Sequence, residues 1–139
     1  MKRFHTTTHI EASPDTVWAL LTDAAAYPEW NPTVTAVDGD IAHNERITVH
    51  ARISPDRAFP VVVSTFEPGR RMVWSSGMPL GAFKGVRTFT ITPADGGVEF
   101  GMEEVFSGFM EFLISRTIPD LTPEFEAFAA ALKATAEAA

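Results

Sequence analysis

Apolar and polar residues alternate along most of this chain, a pattern typical of pleated strands with one buried face. Seven such runs occur, at residues 4–10, 34–37, 46–53, 59–67, 71–76, 83–92 and 98–106. Turn sequences such as Asp95-Gly96 separate the last six runs, and none of these connections is long enough for a crossover helix. We therefore expect the last six strands to pair antiparallel in chain order.

Two regions follow helical spacing instead. After the first strand, Ser13 and Pro14 supply a helix start, and a second short turn is expected to end before Pro28. Toward the C-terminus, Thr122 and Pro123 begin a helix of about four turns. Its apolar stripe consists of Leu121, Phe125, Phe128 and Leu132.

These elements predict an α+β fold in a single domain over residues 1–139. It consists of a curved seven-stranded antiparallel sheet, two short helices after the first strand and a long C-terminal helix across the sheet. The sheet is expected to curve because it has one apolar face and one amphipathic helix to cover. A sheet that curves around a helix tends to leave a space, so a pocket is expected between the sheet and the helix.

The hairpin turn at residues 95–96 also predicts a register. Setting Ala94 opposite Gly97 gives the two strands one consistently apolar face, and on that face Arg87 falls opposite Glu104. A lone charge among apolar neighbours would be costly to bury, so we predict an ion pair inside or at the rim of the pocket. The pair either satisfies only itself or orients the polar group of a ligand.

Composition narrows the functional classes. The chain has 139 residues, 45% of them apolar, which is enough to build a core without a metal or disulfides. It contains no cysteine, which excludes thiol nucleophiles and disulfides and favours a cytoplasmic location. Its net charge of −7 disfavours nucleic acid as a partner. No apolar run approaches the ~18 residues of a membrane span, so we expect none.

No catalytic or metal-binding pattern in the sequence is complete. His5 and His9 share a strand face but lie about 13 Å apart, too far to bind one ion, so neither a metal nor a cofactor is expected. The nucleophile elbow G-x-S-x-G and glycine-rich phosphate loops are missing from the sequence. Glu103 and Glu104 are strand neighbours that point to opposite faces, so they cannot act on one bond.

Five segments in chain order carry a family resemblance. They are Ile10-x-Ala12-Ser13-Pro14-x-x-Val17-Trp18-x-x-Leu21-x-Asp23, Tyr27-Pro28-Glu29-Trp30-Asn31-Pro32, Glu67-Pro68-Gly69-Arg70-Arg71-Met72-Val73-Trp74, Gly85-x-Arg87-x-Phe89 and Glu104-x-Phe106-Ser107-Gly108. Together they resemble the START-like SRPBCC superfamily, and more closely its polyketide cyclase/dehydrase-type bacterial members. The resemblance implies a helix-grip fold whose pocket takes lipids, sterols, polyketides or hormones. Some members of the superfamily catalyse cyclisation or dehydration, and many only bind.

The aromatic and methionine content favours an apolar ligand in that pocket. Eleven phenylalanines, three tryptophans and five methionines offer large and deformable apolar surface. An ordinary filled core is the alternative explanation of the same content. The expected ligand-binding residues are Met72, Trp74, Met78, Arg87, Phe89, Phe100, Met102, Glu104, Phe125 and Phe128.

Two apolar segments are candidates for the mouth of the pocket. Residues 77–83 form a loop that begins at Gly77 and contains Gly81, and such a loop is a candidate lid. Residues 109–118 are too apolar for a solvated connection. We interpret them as a short helix packed on the core, with a lid or a subunit contact as the alternatives.

Three functional hypotheses follow. The leading one is a cytoplasmic protein that binds a small hydrophobic or amphipathic molecule of the lipid, polyketide or aromatic class in the internal pocket, without a cofactor. The alternative is an enzyme of the polyketide cyclase/dehydratase type that uses the same pocket. The third is a START-like protein–protein adaptor that makes contact through residues 109–118, a segment that is also compatible with a homodimer.

Overall fold

The computed structural model describes residues 2–139 and has the predicted order of elements. The strands are β1 (Lys2–Ile10), β2 (Val34–Asp38), β3 (Arg46–Ala51), β4 (Phe59–Glu67), β5 (Arg71–Gly77), β6 (Lys84–Ala94) and β7 (Gly97–Ser107). The α-helices are α1 (Pro14–Thr22), α2 (Tyr27–Trp30), α3 (Glu111–Ile114) and α4 (Thr122–Ala138). Single 3₁₀ turns lie at Ala24–Ala26, Pro79–Gly81 and Ser115–Thr117.

All seven strands belong to one antiparallel sheet in the order β1-β7-β6-β5-β4-β3-β2. The predicted meander of the last six strands is confirmed, and β1 joins the sheet beside β7. The sheet curls around α4, which packs most closely along β1. The predicted α+β, helix-grip architecture is therefore confirmed.

Every strand end lies within two residues of the sequence prediction, and only two of them, the end of β3 and the start of β6, fall inside the predicted run. β3 ends at Ala51 because the backbone N–H of Ser54 donates to the Ala51 carbonyl and closes a turn. β6 begins at Lys84, the partner of Gly77; the next residues in this register are joined by a hydrogen bond of 2.8 Å from the N–H of Met78 to the Phe83 carbonyl before the chain turns. In β3, therefore, a turn hydrogen bond ends the ladder earlier than the apolar pattern does.

The predicted register between β6 and β7 is confirmed along its whole length, and Arg87 lies opposite Glu104. The same row continues to Trp74 on β5 and to Phe4 on β1. Successive residues of a strand alternate between faces, so these four side chains form one row across the inner face of the sheet. This row positions the site described below.

Helix α4 covers the inner face with the predicted stripe. Phe125, Phe128 and Leu132 are buried, and Leu121 packs against the same core just before the helix. The N–H of Thr122 donates to the Asp120 carboxylate at 3.0 Å, which satisfies one of the free donors at the start of the helix.

The two short helices after β1 are joined by a buried hydrogen bond. Ser13 caps α1, since its Oγ accepts from the N–H of Thr16. The hydroxyl of Tyr27 on α2 donates to the Leu21 carbonyl of α1 at 2.7 Å. This bond fixes the Tyr27 ring below the sheet, where it enters the core.

The segment after β7 forms the predicted short helix, but the helix is not packed on the core. Phe109, Phe112 and Leu113 are exposed. The segment is held instead to the β5–β6 connection, where the N–H of Met110 donates to the Ala82 carbonyl at 2.7 Å. The interpretation of residues 109–118 as a packed segment is therefore wrong for these three side chains.

Candidate functional site

An aromatic cluster occupies the space between the sheet and α4. Phe128 is at its centre, with its ring centroid 5.8 Å from that of Phe89 and 6.4 Å from that of Phe100, whose ring is stacked on it. On its other side lie Trp30 at 5.7 Å and Tyr27 at 6.3 Å. Rings at these separations are in contact.

The structure brings most of the predicted ligand-binding residues together. The seven that are buried in or beside the aromatic cluster are Met72, Trp74, Phe89, Phe100, Met102, Phe125 and Phe128. Arg87 and Glu104 lie at the margin of this group. Met78 does not join it, because it lies in the loop after β5 with its side chain exposed.

Arg87 and Glu104 form the predicted ion pair. The guanidinium approaches Glu104 Oε1 at 2.6 Å from Nη2 and 2.7 Å from Nε, and it lies 5.0 Å from the centroid of the Phe125 ring. The two side chains are 23% and 14% exposed, whereas the next inward-facing residues on the same strands, Phe89 and Met102, are 1% and 2% exposed. The pair therefore lies at the rim of the buried cluster.

Three buried donors on this side of the sheet have no hydrogen-bond partner among residues 2–139. They are the indole Nε1 of Trp74, the indole Nε1 of Trp30 and the amide Nδ2 of Asn31. The other amide atom of Asn31, Oδ1, accepts from the N–H and the hydroxyl of Thr33. The site therefore has more buried hydrogen-bond donors than acceptors. Each buried donor without a partner costs about 1–3 kcal/mol.

Trp30, Asn31 and Tyr27 are site residues that the sequence analysis missed. In the sequence they appear only in a segment that carries the family resemblance, and no binding role is predicted for them. The signal available in the sequence was the placement of two aromatic residues and an amide immediately before β2, in a chain with a single tyrosine. Nothing in the neighbouring sequence indicates that these three side chains reach the middle of the sheet.

Tyr27 is not set up for acid–base chemistry. Burial raises its pKa above the ordinary range, and the positive charge of Arg87 offsets only part of that effect. Its hydroxyl therefore stays protonated at neutral pH and donates to the Leu21 carbonyl. This leaves Glu104 and Arg87 as the ionisable side chains on the central row of the inner face.

Two open depressions lie elsewhere on the surface. One, of about 660 Å³, is found where β5 ends and β6 begins, and its walls include Met78, Phe83 and Lys84. The other, of about 550 Å³, lies between Asp23 and Asp38. Neither lies between the sheet and α4, where the sequence predicts the pocket.

The outer face of the sheet carries the remaining candidates for polar chemistry. Glu103 points outward and pairs with Arg3 at 2.6 Å, opposite in direction to Glu104. His5 and His9 are exposed on the outer face of β1. Among residues 2–139, no three histidine or carboxylate side chains converge as metal ligands would. Within the same range, no helix has the length and apolar character needed to cross a membrane.

The fold and its inner face define a class, the START-like helix-grip proteins, and solved structures agree. An aromatase/cyclase, Zhui from Streptomyces sp. R1128, is 12% identical with a TM-score of 0.75, over 98% of this chain and 93% of that chain. A START superfamily protein from Mycobacterium smegmatis is 18% identical with a TM-score of 0.68, over 98% and 97%. A Mesorhizobium loti protein, MLL2253, is 20% identical with a TM-score of 0.73, over 96% and 95%.

The family itself is shown by sequence. Residues 1–137 match the model of the family described as "Polyketide cyclase / dehydrase and lipid transport". The chain belongs to this family. No curated protein matches the chain.

Proposed function

We propose that this protein binds one small amphipathic molecule between the sheet and α4. The apolar part of the ligand lies among the aromatic side chains, and a hydrogen-bond acceptor on it receives the indole N–H of Trp74 beside Arg87. The observation that carries the proposal is the unpaired Nε1 of Trp74, a buried donor in the strand position directly opposite Arg87. Membership of a family that includes lipid transport supports the same conclusion.

The ligand's acceptor is uncharged in this proposal. Arg87 is already neutralised by Glu104, so the donors left over belong to indole and amide groups, which carry no charge. A carboxylate would bring a charge into a site without a free cation, and burying an unpaired charge is costly. A ketone, an ester or another neutral carbonyl supplies the missing acceptor without this cost.

Binding requires the aromatic cluster to open. The rings of Phe89, Phe100 and Phe128 are now in contact, so a ligand must displace α4 from the sheet by separating them. Met72 and Met102 lie in the same layer, and their flexible side chains can fill irregular gaps around a guest. Entry is expected at the rim, where Arg87 and Glu104 contact solvent.

Two naphthalene probes of similar shape test the proposal by titration calorimetry: 2-acetylnaphthalene, which has a carbonyl, and 2-ethylnaphthalene, which does not. We expect saturable binding of one molecule per chain. Trp74→Phe keeps an aromatic ring but removes the donor, so it should weaken binding of the ketone by about 5- to 10-fold and leave the hydrocarbon unchanged.

The matched control is Trp18→Phe, which changes an indole that packs on Phe66, outside the row of Trp74 and Arg87. It should change neither affinity. If the native protein shows no saturable binding of either probe and takes them up only on unfolding, the space between sheet and α4 is a filled core and the proposal fails.

An enzyme of the cyclase/dehydratase type is the second candidate, and the orientation of the Arg87–Glu104 pair favours it. Both ionisable groups face the interior, so Glu104 could accept a proton from the carbon beside a ligand's carbonyl while Arg87 stabilises the oxygen. In D₂O, an enzyme of this kind would exchange the methyl protons of 2-acetylnaphthalene faster than buffer does. Exchange at the buffer rate leaves only the binding function.

A further inference from the structure

The exposed large apolar side chains of the described chain are concentrated at one end of the molecule. The strands β1, β2, β4 and β6 begin at this end and β3, β5 and β7 finish there, because the sheet is antiparallel throughout. Five of these side chains come from the β5–β6 loop and from the segment around α3, and we call them the apolar tip: Met78, Leu80, Phe109, Phe112 and Leu113. There are two others at the same end: Ile53 lies on the β3–β4 connection, and Phe59 is the first residue of β4.

The two parts of the apolar tip are tied together. The N–H of Met110 donates to the Ala82 carbonyl, which joins the α3 segment to the β5–β6 loop. The Nζ of Lys2 donates to the carbonyls of Ser115 and Ile118, which holds the far side of the segment to the start of β1. The exposed side chains therefore lie on a surface whose segments are held in place by hydrogen bonds.

Leu80 shows that exposure at the apolar tip is built into the backbone. Its φ of 62° lies in the left-handed region, which is costly for a residue with a branched side chain. The strained backbone leaves the side chain 96% exposed, so the conformation buries nothing in return. Strain combined with full exposure of an apolar side chain is a feature of binding surfaces.

Charge is distributed unevenly around the apolar tip. The connections at this end (residues 31–34, 51–60, 77–84 and 107–124), together with Lys2, carry five basic and four acidic side chains. The rest of the chain carries six basic and fourteen acidic ones. Lys84 and Arg116 are exposed beside the apolar tip, and neither forms an ion pair with another of residues 2–139.

We propose that the apolar tip inserts into the surface of an anionic lipid bilayer, with Lys84 and Arg116 next to the lipid phosphates. Apolar side chains flanked by basic ones are the pattern of interfacial membrane binding. Acidic side chains such as Asp40, Glu67 and Asp95 lie on or next to the connections at the other end of the sheet, and the longest strands, β6 and β7, span about 36 Å. This distance exceeds the ~8 Å over which charge is screened at physiological salt, so the net charge of −7 does not oppose docking in this orientation.

The proposal goes beyond ligand binding, and its test needs no ligand. The full chain is sedimented with vesicles of phosphatidylcholine, with or without phosphatidylglycerol. Binding should require the anionic lipid and weaken with salt. The double variant Lys84→Ala/Arg116→Ala should bind about 10- to 30-fold more weakly, since each basic residue near such a surface contributes about 1 kcal/mol.

The matched control is Arg70→Ala/Arg71→Ala, which removes the same charge from two exposed arginines where β4 and β5 meet at the other end of the sheet. It should change vesicle binding by less than about 2-fold. If both double variants lose binding equally, attraction by overall charge explains the result and the proposal fails.

The apolar contribution is tested with Leu80→Gly and Phe112→Ser. Leu80→Gly removes the exposed side chain and also relieves the backbone strain, so it should keep or raise the melting temperature while it weakens vesicle binding by about 3- to 10-fold. Wild-type affinity in both variants would overturn the proposal. So would a wild-type dimer that ignores vesicles and dissociates in these variants, because the apolar tip would then cover a second copy of the chain.

Discussion

The row of Trp74, Arg87, Glu104 and Phe4 shows how single residues set the character of the inner face. The guanidinium of Arg87 is bonded to Glu104 on one side and lies near the ring of Phe125 on the other. Since both charged side chains keep some contact with solvent, their pairing energy falls between that of a surface pair and that of a fully buried pair. The pair can therefore stabilise the fold without being isolated from an incoming ligand.

Substitution of Arg87 or Glu104 tests how much this ion pair contributes to stability. Arg87→Met and Glu104→Gln should each lower the free energy of unfolding by about 1–3 kcal/mol, and the double variant should lose less than the sum. Urea denaturation of the single and double variants measures the coupling.

The control is the outward-facing pair of Arg3 on β1 and Glu103, the neighbour of Glu104 on β7, whose side chains are 52% and 37% exposed. Arg3→Met and Glu103→Gln should each cost about 0–1 kcal/mol. Losses of a few tenths of a kcal/mol that add up in Arg87→Met/Glu104→Gln would show that this pair does not hold together in solution.

At the scale of elements, α4 acts as the clamp on the sheet, and two of its phenylalanines have different surroundings. Phe128 contacts rings from the sheet and from α2 at once, including Phe89 and Trp30. Phe125 lies nearer the rim, against Phe4 and Arg87. The central position of Phe128 predicts that its loss leaves the larger cavity.

Truncation of these rings tests the clamp. Phe128→Ala should lower the free energy of unfolding by about 3–5 kcal/mol, and Phe125→Ala should fall at or below the lower end of that range. Glu126→Ala, at an exposed position between them on the same helix, is the control and should have little effect. Thermal unfolding gives the ranking. If both phenylalanine variants melt with the control, α4 does not hold the sheet in solution.

At the scale of the whole molecule, the sheet is completed by joining the two ends of the chain. β1 pairs with β7, and this pairing brings Ile10 next to the start of β7. Gly97 lies at that junction, where an added Cβ would clash with the Ile10 carbonyl oxygen. A side chain at this position therefore forces two backbone segments apart.

Gly97→Ala should destabilise the protein by more than about 2 kcal/mol, because the obstructing atom belongs to the backbone and cannot rotate away. Gly101→Ala is the matched control on the same strand. Its Cβ would approach the hydroxyl of Thr90 at 2.6 Å, and a side-chain hydroxyl can turn aside. Equal effects of the two substitutions on unfolding by urea would show that the junction of β1 and β7 is loose.

The fold was predictable because its signals are local. Alternation along each strand and the short connections between strands determine an antiparallel meander whatever the rest of the chain does. The turn at residues 95–96 fixed the register, so the pairing of Arg87 with Glu104 followed from counting residues and is confirmed. The sequence also placed the apolar stripe of α4 correctly, since helical periodicity is a property of neighbouring residues.

The candidate site was only partly predictable, because it depends on which distant segments meet. An apolar strand residue such as Phe89 is buried whether it faces a ligand or another ring, and the three-dimensional packing decided that it meets Trp74 and Phe128. The same holds for polar atoms: only the tertiary structure left the indole N–H of Trp74 without a partner.

The division between sequence and tertiary structure is sharpest for the apolar residues outside the strands. Phe109 and Phe112 are as apolar as the core phenylalanines, and the sequence alone favoured burying them. The tertiary structure instead ties their segment to the β5–β6 loop and leaves both exposed. Periodicity within an element determines which of its faces is apolar. Which apolar segments are buried depends instead on how much of the core surface is left uncovered, and α4 already covers that surface.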